Sequence, residues 1–215
     1  MKLKHVHHGF ALATALYFGC GAAWADAASD VKYLQQRWAE INYRTTGDAK
    51  LTAFEQLAGK AEAITRANPN SAETWIWSGI VKSTYAGAKG GLGALSLAKA
   101  AKADLERALQ LDPSALQGSA YTSLGALYYS VPGWPIGFGD DDKAETLLKK
   151  ALSLNPDGID SNYFYADYLI RENRYPEART HLEKARQAAP RPDRELADSG
   201  RQAEITAKLR EIEGK

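Results

Sequence analysis

Cysteine, methionine, histidine and valine are all scarce in this chain. Its 215 residues include one Cys (Cys20), one Met (Met1), four His (His5, His7, His8, His181) and four Val (Val6, Val31, Val81, Val131). A single thiol leaves no internal disulfide to staple the fold and no Cys-based zinc site. Few β-branched residues, set against abundant Ala, Leu, Lys and Glu, favour helix over strand. An excess of one charge is also missing: 27 basic residues face 26 acidic ones, for a net +1. A near-neutral chain has no broad electrostatic basis for holding a phosphate backbone, so nucleic acid is not expected as a partner.

The scarce residue types cluster at the start. Lys2 and Lys4 open the chain, an apolar stretch runs from Gly9 to Ala23, and no acidic residue precedes Asp26. The apolar stretch is short for a bilayer span, and Ala23-Trp24-Ala25 has the A-x-A form of a cleavage site. Residues 1–25 therefore read as a secretory signal peptide, and a periplasmic or secreted location follows. Tyr17 and Phe18 are bulky where a lipobox takes small or aliphatic residues, so cleavage after Ala25 is expected in place of lipidation at Cys20. The mature chain, 26–215, would keep His181 as its one histidine and carry 25 basic against 26 acidic residues, with no transmembrane segment.

Little remains for catalysis. With one histidine there is no His-based metal cluster, and a Ser-His-Asp arrangement would have to use His181. Lys89 precedes its glycine pair, where a phosphate loop would need G-x-x-x-x-G-K-[ST]. Asp140, Asp141 and Asp142 lack calcium-loop spacing and read as the cap and first turn of a helix. No enzyme activity, cofactor or metal is expected.

What the chain does contain is a threefold pattern. Ala101, Leu105, Ala108 and Pro113 fall at relative positions 0, 4, 7 and 12. Ala144, Leu148, Ala151 and Pro156 repeat these offsets, and so do Ala178, Leu182, Ala185 and Pro190. Ala and Leu at these spacings share one helix face, the small residues letting a neighbouring helix approach. Proline then stops the helix. Each set is preceded by a first helix: Trp75-x-x-Ser78-Gly79-x-x-Lys82, Tyr121-x-x-Leu124-Gly125-x-x-Tyr128, and Asn162-x-x-Tyr165-Ala166-x-x-Leu169. These units resemble the tetratricopeptide (TPR) repeat, W-x2-L-G-x2-Y, then A-x3-F, then P; the 121–156 unit matches best. The resemblance implies an all-α fold of helical-hairpin repeats, a right-handed α-solenoid, with repeats near 30–69, 70–113, 114–156 and 157–190 and a capping helix over 191–215. Homo-oligomerisation through that charged terminal helix stays open.

Two units exceed the family length by about ten residues. The surplus is read as a flexible, Gly-rich turn over 86–96 followed by a short helix, and as a loop over 130–140. Asn70 with Glu73, and Ser114 with Gln117, read as capping boxes. The loop holds Trp134, Ile136 and Phe138, which either pack back on their own helices or form the lip of a site. The resemblance also implies a scaffold whose concave groove, lined by first helices, binds a protein or peptide partner. By register its lining is Glu73, Ile76, Ile80 and Ser83; Ser119, Thr122, Ala126 and Tyr129; and Asp160, Tyr163, Asp167 and Ile170, with Trp134 above Tyr129. Several of these, Ile76, Ile80 and Tyr163 above all, could equally pack between helices. The inserts, the leader and the stretch Asp140–Ala144 are also similar to exported TPR partners of TRAP transporters. That likeness implies a small-molecule carrier or transporter accessory, with the inserts closing a pocket. An enclosed apolar cavity would favour the carrier and an open groove the scaffold.

The leader makes one direct prediction: the intact mass of the exported protein should correspond to a chain starting at Asp26. A lipidated mass that retains Cys20 would contradict it.

Overall fold

The computed structural model describes residues 20–215. Among these there are nine helices: α1 (Cys20–Arg44), α2 (Gly47–Ala67), α3 (Ala72–Lys89), α4 (Gly91–Leu111), α5 (Ala115–Ser130), α6 (Asp141–Leu154), α7 (Ile159–Arg171), α8 (Tyr175–Arg186) and α9 (Glu195–Glu211). The first eight form four hairpins, each packed on the next, and α9 closes the series. The expected leader lies outside the described residues up to residue 19; residues 20–25 are the first turns of α1. No described helix is long and apolar enough to cross a membrane.

The threefold pattern is the packing seam. Ala101, Leu105 and Ala108, Ala144, Leu148 and Ala151, and Ala178, Leu182 and Ala185 are all at 0% exposure. Each central Leu is a knob, and the partner helix supplies a hole. A Cβ added at Gly125 would sit 2.6 Å from Leu148 Cγ, and one at Gly79 would sit 2.5 Å from Leu105 Cγ. Both are far inside van der Waals contact, so only glycine permits this approach. In the last hairpin the buried Ala166 occupies the corresponding position. The first hairpin departs from the scheme. Leu57, Ala61 and Ile64 line its second helix, and Trp38, Phe54 and Trp77 fill a second core cluster around them.

The second hairpin carries a polar core. Where the repeat pattern has Leu and Tyr, α3 has Ser78 and Lys82. Lys82 Nζ lies 2.8 Å from Asp104 Oδ2 and 3.3 Å from Glu62 Oε1, and Ser78 Oγ donates to Asp104 Oδ2 at 2.6 Å. A buried lysine is tolerated because α2 and α4 each place a carboxylate on it.

Three local expectations are corrected. The 86–96 insert is not a flexible turn: it adds turns to α3 and α4, which meet at Gly90 and Gly91 with φ of +62° and +59°. The left-handed conformation that glycine adopts without strain is the whole connection. The cap of α3 is Ser71, whose Oγ accepts from Thr74 N–H; Asn70 makes no cap, and Glu73 accepts from the Ser71 hydroxyl at 2.8 Å. Ser114 makes no side-chain cap, because Leu116, Gln117 and Gly118 all have positive φ and form a left-handed turn. Asp140 does cap α6, accepting from Lys143 N–H, and Pro176 sits in the first turn of α8.

The cap does more than shield α8. It also packs on α7 and reaches back to α1. Gly200 of α9 lies against the Tyr43 ring, with no room for a Cβ. Ala197 is buried in the cluster that holds Trp38 and Trp77, and Lys32 Nζ pairs with Asp193 Oδ2 at 2.9 Å. The inner helices α1, α3, α5 and α7 therefore form an arc that α9 closes into a ring.

Ala151→Leu would force bulk into a seam that has no free volume. It should cost roughly 1–3 kcal/mol, read as a lowered urea midpoint against the parent chain.

Candidate functional site

The ring surrounds a partly open cavity of about 980 Å3, at the upper end of the range for small-molecule sites. The inner helices position its wall. Trp38 comes from α1; Trp77, Ile80, Ser83 and Thr84 from α3; Ser119, Thr122, Ser123 and Ala126 from α5; and Asp160, Ser161 and Phe164 from α7. These recur about one turn apart because hairpin packing, through the Leu–Gly contact in α3 and α5, holds one face of each inner helix against its partner and leaves the opposite face to the ring. The first turns of α4, with Ala94, Leu95 and Ala98, close one side. Thus the residues added to the second hairpin become wall. Leu116 and Gln117, in the left-handed turn before α5, and Pro132 and Ile136, in the 131–140 loop, border the cavity as well.

The cap supplies the charge. Arg191, Arg194 and Arg201 all line the cavity. Arg191 Nη1 and Arg201 Nε lie 2.6 and 2.9 Å from the two oxygens of Asp160, and Arg191 Nη2 lies 2.6 Å from Asp198. Arg201 also covers the faces of Tyr163 and Phe164, at 4.2 and 4.7 Å from their centroids. Burial alone would raise the Asp160 carboxyl, but the Arg201 and Arg191 charges outweigh it and hold it at about 2. Burial and the charge of Arg191 lower Arg194, whose guanidinium stacks 5.0 Å above Trp77.

The structure sorts the expected lining residues into groups. Ile80, Ser83, Ser119, Thr122, Ala126 and Asp160 all border the cavity. Tyr129 and Asp167 are brought together elsewhere: the Tyr129 hydroxyl donates to Asp167 Oδ2 at 2.8 Å, and Lys208 Nζ lies 2.9 Å from Asp167 Oδ1. With Ile170 they border a separate surface depression beside α9. Ile76 is fully buried in the core, Tyr163 is buried beneath Arg201, and Glu73 serves its own helix cap. None of these three borders the cavity.

The 131–140 loop divides its apolar side chains. Phe138 packs edge-on against Tyr128 at 5.4 Å, Ile136 sits at the cavity rim, and Trp134 is 91% exposed. The loop is anchored at its base by Asp140 N–H, which donates to Tyr128 O at 3.0 Å. Trp134 therefore neither packs on the helices nor stands over Tyr129, which is itself buried.

Sequence reasoning missed the three arginines, Trp38, Trp77 and Phe164. The signal for the arginines was the run Arg191-Pro192-Asp193-Arg194 with Arg201 two turns on. It becomes informative only once α9 is known to fold inward. His181 lies away from the cavity, with Nδ1 2.9 Å from Asn162 Oδ1 and its ring edge-on to Tyr165. No group of three or more His, Cys, Asp or Glu side chains that could hold a metal occurs among the described residues.

These hairpins and their seam define an α-helical repeat scaffold. Residues 136–199 match the family model for the tetratricopeptide repeat, and the chain has the tetratricopeptide-repeat fold. It is similar to the crystal structure of TTC0263, a thermophilic TPR protein of Thermus thermophilus. That match has 19% identity over 84% of this chain and 99% of that one, with a TM-score of 0.54. Weaker matches are MamA (18% identity, 75% and 87% covered, TM-score 0.45) and YrrB, a TPR protein with an unusual peptide-binding site (15% identity, 76% and 80% covered, TM-score 0.42). No curated protein matches the chain.

Asp160 makes stability sensitive to acid. Its carboxyl is ordinary in the unfolded chain, at 3.8, and held at about 2 in the folded one. The unfolded state thus binds the proton first. The stabilisation is complete above the unfolded value and is lost as pH falls through the folded one. Asp160→Asn should destabilise the protein at neutral pH by roughly 1–3 kcal/mol. The gap from the parent should narrow toward pH 2 in urea titrations.

Proposed function

We propose that this chain is an exported, non-enzymatic binding protein that holds a small molecule inside its ring of helices, as a carrier or transporter accessory. One observation carries the reading: α9 returns to α1, so the concave face of the repeats is walled on every side by helices and holds a cavity of about 980 Å3 that is partly open to solvent. An extended peptide in a TPR groove would need free ends to the groove, whereas here Tyr43 and Gly200 join the first and last helices and the Lys32–Asp193 pair joins the first helix to the segment leading into the last. The wall is mainly apolar and small, with hydroxyls at Ser83, Thr84, Ser119, Thr122 and Ser123. Apolar area to bury and a few polar groups to orient are what small-molecule sites combine. Export rests on the leader pattern of residues 1–25.

Native mass spectrometry of the protein taken from its own cells should find a small molecule bound to the folded chain. Ala126 borders the cavity without belonging to the fully buried seam. Ala126→Phe should therefore abolish that adduct and change the unfolding free energy, from urea titration, by no more than about 1 kcal/mol. An adduct that survives Ala126→Phe undiminished, or captured peptides in its place, would contradict the reading.

A further inference from the structure

The charges on the cavity wall do not cancel. Three arginines, Arg191, Arg194 and Arg201, face two aspartates, Asp157 and Asp160. Asp160 is shared by Arg191 and Arg201. Each of those has a further carboxylate, Asp198 for Arg191 and Glu204 for Arg201. Asp157 pairs with Lys184 at 3.0 Å. Arg194 is left over. Among the described residues no carboxylate lies within ion-pair distance of it, and its Nε is buried with no acceptor. Its guanidinium is held over Trp77, itself a wall residue.

Arg194 is half-buried, and its buried Nε without an acceptor is costly. An anion bound in the cavity would satisfy it. Trp77 restrains the guanidinium, and a fixed fork is the geometry that receives a carboxylate with little loss of entropy. Ile80, Ala94, Leu95, Ala126 and Phe164 supply apolar surface between the hydroxyls of the wall. From this we infer that the cavity takes an amphipathic monocarboxylate, its acid group on Arg194 and its hydrocarbon body against the α3–α4–α5 wall. The inference rests on the cavity being the binding site proposed above. It goes further in naming the charge, the anchor and the direction in which the ligand lies. The depression of the Arg194 pKa by burial and by Arg191 points the same way, since an anion there would relieve both.

The test compares decanoate with decan-1-ol, which share a chain and differ in charge, by isothermal titration of the full chain. Decanoate should bind more tightly, on the order of tenfold or more. Arg194→Gln should reduce decanoate to the affinity of the alcohol and leave the alcohol unchanged. Arg194→Lys, which retains the charge, should keep most of the preference and also shows whether the position tolerates substitution. Urea midpoints for both variants report folding. Equal binding of the two probes to the parent chain, or a loss of both in a folded Arg194→Gln, would overturn the carboxylate inference and leave the cavity reading standing. Failure of both probes to bind the parent chain would overturn the inference together with the apolar site on which it rests.

Discussion

The repeat stack depends on a leucine side chain set against a small residue, in the two central hairpins a glycine with no Cβ. Leu105 packs onto Gly79 and Leu148 onto Gly125, and Leu182 packs in the hairpin where Ala166 replaces the glycine. Flanking alanines at full burial let the helix axes come close. Because a helix turns once per 3.6 residues, fixing this face fixes which residues lie on the opposite one. The residues that look into the ring are therefore dictated by the seam on the other side of their helices. The same logic explains why the polar core of Ser78, Lys82 and Asp104 is tolerated: it replaces two apolar positions beside the seam and leaves the Leu–Gly contact intact.

Closure is a second, separate constraint. A stack of hairpins has two free ends and normally ends in a polar capping helix. Here the cap uses its apolar side twice. Ile205 and Ile212 join the core of the later hairpins, and Ala197 and Leu196 join that of the first. Arg191, Arg194 and Arg201 are thereby turned toward the interior. The cost of burying them is met by Asp160 from α7 and by Asp198 and Glu204 from the cap itself, with aromatic faces under Arg201 and Arg194. The apolar wall and the arginines of the cavity thus come from different parts of the chain, the repeats and the cap. A change in one can retune the site without disturbing the other.

Much of this was legible in the sequence because it is periodic. The triplets at 101, 144 and 178, each with proline in register, identify hairpins, and the register picks out Ile80, Ser83, Ser119, Thr122, Ala126 and Asp160 as inward-facing. What was illegible depends on contacts distant in the chain. Tyr43 against Gly200 spans most of the protein, and nothing local to either residue announces it. Ile76 and Tyr163 follow the same inward register yet are covered by neighbouring side chains, which register alone does not capture. The glycines of 86–96 read as a loop because glycine lowers helix propensity. Packing overrides it, and only Gly90 and Gly91 use the conformations glycine makes available. Trp134 read as an aromatic either packed back on its helices or standing at the lip of a site above Tyr129. Its exposure follows from how the loop is held: Phe138 and Asp140 anchor the far end on Tyr128, and the tip is left in solvent.

The central claim is that the last helix returns to the first. It is tested most directly by cross-linking in solution. In a Cys20→Ser background, Lys32→Cys with Asp193→Cys should be bridged within a single chain by a short bis-maleimide, because the native side chains are in ion-pair contact at 2.9 Å. Peptide mass spectrometry of the monomer band should find the 32–193 link as the main product. Single, unbridged modification at each cysteine in a folded monomer would mean that the ends are apart and that the superhelix is an open groove.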